Sequence, residues 1–343
     1  MLERRGAGLL FALGLLVATS GHAAYESPIA IDQRRGAEQT LLTYPEWFLV
    51  HSPAEYARFV ADHPAHGFPF LAHVGQLWGS YAAVTREQVR EDAPANVGYH
   101  VMILVIASST TVEYALRSAY ENVAGRLSWA VSSDALTPED RYGARVAQDY
   151  VDFIRKEPWY LFDFAARLRG LWAHVPAFGA DPVRKWERRY VLTTEYAIKA
   201  AYGKLIELAT RSAYDPARPT TQVVVDRPPA ALPSEVRLVR TLDGGGAVLE
   251  LPRYFDFRIA ATALAQAGSH LTDIAGNRGS ILVTLWTRDA TRLPPQSRVL
   301  FEQPLVTMPG TRRIAALIPV AALADFLVAA PAGGATIEHV YDY

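Results

Sequence analysis

The sequence predicts an α+β protein: an internally duplicated, all-α helical domain, then a C-terminal ferredoxin-like α+β sandwich. Three observations predict it. Two stretches of the N-terminal part align with each other in order. A proline-rich stretch then interrupts the chain. Beyond it the apolar periodicity shortens from helical to strand-like, with proline opening and glycine closing two predicted helices.

The N-terminus comes first. Arg4 and Arg5 precede an apolar run from Gly6 to Val17, and the small residues Gly21 and Ala23 follow. This is the layout of a secretory signal peptide over residues 1–23, cleaved after Ala23. It implies export, to the periplasm or the periplasmic face of a membrane. An uncleaved anchor is the alternative reading, although the run is short for a span of about 20 residues. The 343 residues include no cysteine. That excludes disulfides, a thiol nucleophile, acylation on cysteine and a cysteine-held iron–sulfur cluster. A formal net charge of −1 without a basic stripe argues against a nucleic-acid partner.

Residues 24–214 read as the helical domain, with repeats at about 54–128 and 148–214. "AEYARFVADHPAHGFPFLAHVGQLW" at 54–78 aligns without a gap to "QDYVDFIRKEPWYLFDFAARLRGLW" at 148–172. The matched residues include Tyr56/Tyr150, Phe59/Phe153, Pro64/Pro158, Phe68/Phe162, Phe70/Phe164 and Trp78/Trp172. "TVEYALRSAY" at 111–120 then matches "TTEYAIKAAY" at 193–202, the second copy having the shorter connection. Ordered, separate matches are the mark of an internal repeat. Each copy predicts an amphipathic helix ended by proline, a short helix reaching the tryptophan, and a long helix. Asn96 is a predicted N-cap for the first long helix, and Asp181-Pro182 an N-cap with proline at the first helical position for the second. The long helices are expected to end near Gly125 and near Asp215-Pro216.

"VGYHVMILVIASSTTVEYALRSAY" at 97–120 is apolar enough to raise a membrane span. Its partner, "PVRKWERRYVLTTEYA" at 182–197, is amphipathic and charged. A shared fold therefore predicts a buried central helix, with a bilayer span over residues 97–116 as the alternative.

Residues 215–235 hold Pro216, Pro219, Pro228, Pro229 and Pro233 and read as a stiff linker. Residues 236–343 form the second domain. "VRLVRTL" and "AVLEL" flank Asp243-Gly244-Gly245-Gly246 as a hairpin. Helices are predicted from about Pro252 to Ala267 and from about Pro319 to Ala330, each leading into a strand, "SHLTDIA" and "TIEHVYDY". With "SILVTLWT" and "SRVLFEQ" between them, two strand–helix–strand units predict the ferredoxin-like sandwich, with an extra hairpin near 298–318.

Candidate chemistry is sparse. Glu113/Arg117 and Glu195/Lys199 are opposite charges four apart on predicted helices, accompanied by Tyr114 and Tyr196. Facing each other across a pseudo-twofold axis, the two glutamates would offer a divalent metal or a cationic ligand a carboxylate pair. The plainer reading is a structural ion pair in each copy. His63, His66 and His73 would supply three imidazoles for zinc, although Pro64 keeps the first two off one regular helix. No cofactor is predicted, and a divalent metal is the alternative. The chain has no His-Glu-x-x-His, Gly-x-Ser-x-Gly or phosphate-loop signature and no predicted catalytic residue. The expected function is accordingly non-enzymatic: binding or scaffolding in the periplasm or at the membrane surface, toward an envelope protein or small ligand. The alternatives are a metal-dependent enzyme or carrier, and an integral membrane component.

Overall fold

The computed structural model describes residues 26–36, 41, 43–210, 218–289 and 292–342. The expected signal peptide, residues 1–23, lies outside them. The fold is α+β: helices first, then two antiparallel four-stranded sheets.

The helical part runs α1 (Thr43–Asp62), α2 (Phe70–Arg90), α3 (Val97–Tyr120), a π-helical turn (Glu121–Gly125), α4 (Arg126–Ala130), α5 (Pro138–Ile154), α6 (Phe164–His174) and α7 (Pro182–Thr210). Local chemistry sets the boundaries. Pro64 and Pro158 lie just beyond α1 and α5, where a following 3-10 turn redirects the chain. Asn96 caps α3, its side chain accepting from Tyr99 N at 3.0 Å. Thr137 and Asp140 form a reciprocal capping box at α5. Asp181, expected as a cap, accepts instead from the backbone N–H and hydroxyl of Ser133, at 2.9 and 2.6 Å.

The aromatic residues paired by the alignment adopt paired geometries. Tyr56–Phe68 and Tyr150–Phe162 are edge contacts at 5.1 and 5.3 Å. Phe68–Phe70 and Phe162–Phe164 meet at 4.9 and 4.8 Å. Trp78 donates to Thr111 Oγ1 at 2.9 Å, and Trp172 to Thr193 Oγ1 at 3.1 Å. Helices α1 and α5 pack along each other between these clusters.

The helix that begins at Val97 runs past the expected stop at Gly125. The π turn inserts an extra residue without breaking it, and aims Glu121 inward at Arg188 of α7. Arg188 takes both carboxylate oxygens, at 2.8 and 3.1 Å, and both residues are buried. A Cβ at position 125 would lie 2.3 Å from Glu121 Oε2. Alanine ordinarily stabilises a helix interior relative to glycine by about 1 kcal/mol. Here the sign reverses: Gly125→Ala displaces a buried carboxylate from its guanidinium, and urea denaturation is expected to show a loss of about 2 kcal/mol or more. A neutral or stabilising substitution would mean that Glu121 moves freely.

The sheets follow: β1 (Thr220–Val225), β2 (Arg237–Thr241), β3 (Ala247–Pro252), α8 (Phe255–Gln266) and β4 (Leu271–Ile274), then β5 (Ser280–Thr287), β6 (Arg298–Pro304), β7 (Arg312–Pro319), α9 (Val320–Ala332) and β8 (Thr336–Val340). The strand orders are β2-β3-β1-β4 and β6-β7-β5-β8. Three strands, a helix and a strand thus occur twice with one connectivity. The strands divide between two sheets, whereas a ferredoxin-like sandwich brings them into one. Strand β1 also lies within the range expected as a linker, since "TQVVV" is β-branched and pairs along its length with β3.

Both sheets and both C-terminal helices share one core, which includes Val223, Leu251, Phe257, Val283, Ile318 and Phe326. The opposite face of the second sheet presents Leu282, Ala315 and Leu317 to Tyr44, Phe48, Leu77 and Val84 of α1 and α2. Burial on both faces explains why "ILVTL" and "IAALI" read as unbroken apolar runs.

Candidate functional site

The structure brings the sequence-predicted glutamates together. Glu113 of α3 and Glu195 of α7 share two cations. Arg117 Nη1 lies 3.6 Å from Glu113 and 3.5 Å from Glu195. Lys199 Nζ lies 3.1 Å from Glu113 and 2.8 Å from Glu195. The four charges form a closed, balanced ring, partly open to solvent. The cations are seated on aromatic faces: Arg117 over Tyr56 at 4.5 Å and Lys199 over Tyr150 at 5.7 Å. Burial alone would raise the Glu195 carboxyl, but Arg117 and Lys199 outweigh it and hold it at about 2. Tyr114 and Tyr196 are buried beneath the ring, and the Tyr114 hydroxyl meets Ser52 Oγ at 2.7 Å. The ring is a cation site already occupied by the chain's own cations.

The three histidines do not converge. His63 is exposed and stacks on Phe59 at 4.8 Å. His66 lies beside Trp129 at 5.8 Å. His73 is fully buried, with Nδ1 3.0 Å from Ser52 Oγ. The break at Pro64 and the 3-10 turn after it send the three side chains in different directions. Among the described residues no group of three or more His, Asp or Glu side chains is placed to hold a metal ion.

A polar centre not anticipated from sequence surrounds His73. Ser52 and Glu55 stand one turn apart on α1, and His73 Nε2 lies 3.7 Å from Glu55 Oε2. The trio has the residue types of an acyl-transfer triad. Ser52, Glu55 and His73 are each at most 1% exposed, and the Nε2–Oε2 separation is beyond a hydrogen bond. Arg313 of β7 donates to Glu55 at 2.8 Å and to both oxygens of Glu338 of β8, at 2.7 Å each. This is a sealed ionic joint between helices and sheet. Its sequence signal, the i, i+3 pair Ser52/Glu55, was too ordinary to stand out.

The most unusual surface is formed by α3 and α7. The expected burial of 97–120 is overturned: only Ile103, Ala107, Tyr114 and Ser118 of α3 are buried. Val97, Val101, Leu104, Val105, Val112 and Leu116 are exposed at helical spacing. The helical stretch Val97–Ala130 is long and apolar enough to cross a membrane, and only 17% of its most apolar window is buried. In helix α7 the second half buries Leu192 and Tyr196, whereas the first half is inverted. Its charged residues Arg184, Lys185, Arg188 and Arg189 are buried against Glu139, Asp140, Glu121 and Glu187. Its apolar residues Val183, Trp186, Tyr190, Ile198 and Leu205 face outward. Trp172 and Phe178 (84% exposed) extend the aromatic patch around Trp186, at 6.2 and 6.5 Å.

The chain matches no family model, no curated protein and no solved structure.

Proposed function

We propose that this is an exported, non-enzymatic protein of the cell envelope that docks on the membrane surface through the outward apolar faces of α3 and α7. One observation carries the reading: the first half of α7 turns its charges inward and its apolar side chains outward. A water-facing helix does the reverse, because burying ions costs several kcal/mol each unless they are paired. Charges paired inside and apolar groups outside is the arrangement that suits lipid. The exposed Trp172, Trp186 and Tyr190 have the amphipathic rings that favour a membrane–water boundary. Export, inferred from residues 1–23, would place the protein beside such a surface.

The docking face supports association with the surface rather than a crossing. The inner edge of α3 is tied to water-soluble structure: Tyr99 donates to Glu46 at 2.5 Å, and His100 meets the Tyr81 hydroxyl at 2.8 Å. A crossing helix would carry α1 and α2 into the bilayer with it.

The helical part is, on this reading, a duplication. The matched ring geometries and the Trp–Thr bonds support it, and it accounts for two apolar faces instead of one: Leu116 and Ile198 are aligned positions, as are Leu104 and Trp186. The C-terminal part is likewise read as a repeated strand-rich unit acting as the soluble platform. The glutamate pair and the histidines are given no catalytic role.

The test is sedimentation with neutral phosphatidylcholine vesicles at high salt. The wild-type protein is expected to pellet with the vesicles. Leu116→Glu/Ile198→Glu, at two exposed positions, is expected to stay in the supernatant with an unchanged Tm. A wild-type protein that ignores vesicles overturns the reading. So does a stable dimer that the same substitutions disperse, since the face would then belong to a second copy.

A further inference from the structure

The turn that joins α6 to α7 gives the docking face one end unlike the rest. Its sequence, "VPAFGA" at 175–180, holds no charged residue. Phe178 is 84% exposed, the most exposed large apolar side chain among the described residues. Trp186 meets it edge-on at 6.5 Å, and Trp172 meets Trp186 edge-on at 6.2 Å. Tyr190, one turn further along α7, is exposed as well. Elsewhere the face is mostly aliphatic, through residues such as Leu104, Leu116 and Ile198.

The turn is pinned at both ends. Arg189, buried in the first half of α7, donates through Nη2 to Val175 O at 2.9 Å, to Pro176 O at 3.1 Å and to Glu139 at 2.7 Å. Its guanidinium also backs two of the rings, 5.1 Å from the centre of Trp172 and 5.7 Å from that of Trp186. At the far end Asp181 accepts from the backbone N–H and hydroxyl of Ser133. Gly179 has φ +145, which side chains rarely adopt, and it turns the chain directly after Phe178. One buried arginine therefore fixes the base of the turn and supports both tryptophans. Fixing the turn beforehand removes much of the ordering cost of inserting its tip. Lys185 and Arg189, the cations beside the turn, are both taken by Glu139, so neither is left for a charged partner. An outward phenyl ring on a pinned turn, flanked by tryptophans, suits hydrocarbon beneath a layer of headgroups.

We propose that the turn at 175–181 is the anchor of the docking face: Phe178 enters the acyl-chain region of a phosphatidylcholine bilayer, and Trp172 and Trp186 lie at the glycerol level behind it. The anchor rests on the membrane reading above and adds to it which end inserts and by which side chain. Leu104, Leu116 and Ile198 then lie along the surface at a shallower depth.

A chain without cysteine can be labelled at one chosen position. Phe178→Cys and Ile198→Cys, each carrying a nitrobenzoxadiazole label, are mixed with phosphatidylcholine vesicles that hold a nitroxide either at the headgroup or deep in the acyl chain. The label at 178 is expected to be quenched more by the acyl-chain nitroxide, and the label at 198 more by the headgroup nitroxide. In sedimentation with phosphatidylcholine vesicles, Phe178→Ala is expected to weaken binding about tenfold or more, and Phe178→Leu to recover most of it. The Tm should stay at the wild-type value in both, because the position is exposed. If the wild-type protein pellets but the label at 178 lies no deeper than that at 198, or Phe178→Ala binds at full strength, the anchor is overturned and the docking reading stands. A wild-type protein that does not pellet overturns both.

Discussion

Arg313→Met is expected to destabilise the protein by about 3–5 kcal/mol, the cost of removing one partner from a buried ion pair. Arg313 is fully buried, and it is the cation that Glu55 and Glu338 both contact. Its loss leaves two buried carboxylates without their bonded cation, facing His51 and His73, at the joint where β7 and β8 meet α1. Methionine fills similar space, so the loss reports charge more than packing. The expected signature is non-additivity: Glu55→Gln/Glu338→Gln, itself destabilising, should recover much of the stability in the Arg313→Met background. Urea midpoints for the four proteins check it. A loss below about 1 kcal/mol in Arg313→Met would show that the joint is not held by charge.

Acid should open the same joint earlier than it titrates ordinary carboxylates. Burial, opposed by Glu338 and reinforced by Arg313, Arg155 and Arg58, lowers His51 to about 4. Burial, reinforced by Arg313, lowers His73 to about 3. His339, in close contact with Trp47 and packed against Tyr341, is lowered as well, by burial first and then by His51. A histidine lowered in the fold is neutral there and protonated more readily when unfolded. Its contribution is therefore whole above about pH 6.5 and is lost as pH falls from 6.5 toward 4 for His51 and 3 for His73. Glu338, held at about 2 by Arg313 against burial, adds a further loss only at lower pH, from the usual carboxylate range downward. Burial raises Glu46 and Glu55, which take up protons in the fold before ordinary carboxylates do, and they therefore oppose the histidines above that range, within the same pH window. The histidines thus predict a stability that falls between pH 6.5 and 4, less the part returned by Glu46 and Glu55. His51→Gln/His73→Gln should flatten the slope between pH 6.5 and 5 in urea titrations. An unchanged slope would place the acid response elsewhere.

Much of the local structure was legible in residues. Asn96 and Pro182 mark helix starts, Pro64 and Pro158 follow helix ends, and the strand-forming runs "SILVTLWT" and "SRVLFEQ" became β5 and β6. The pairing of Glu113 with Arg117 and of Glu195 with Lys199 followed from helical spacing. That the two pairs close into one ring did not, because spacing along one helix says nothing of the helix beside it. The strand "TQVVV" was hidden among prolines whose stiffness dominated the reading. Gly125 looked like a stop because glycine commonly ends helices; its role here is to leave room for a carboxylate.

The sequence by itself determined most of the helices and strands, the recurrence of the same letters in two helical stretches, and the exclusion of cysteine chemistry. Only the tertiary structure decided which face of each helix is inside. Hydrophobicity records that a residue avoids water, not which neighbour relieves it. "VRKWERR" carries the same amphipathic period whether its cations or its aromatics face the protein. The acids Glu121, Glu139, Asp140 and Glu187, three of them distant in sequence, neutralise the four cations of α7 and let them turn inward. That pairing across the fold leaves Trp186 and Tyr190 on the outside.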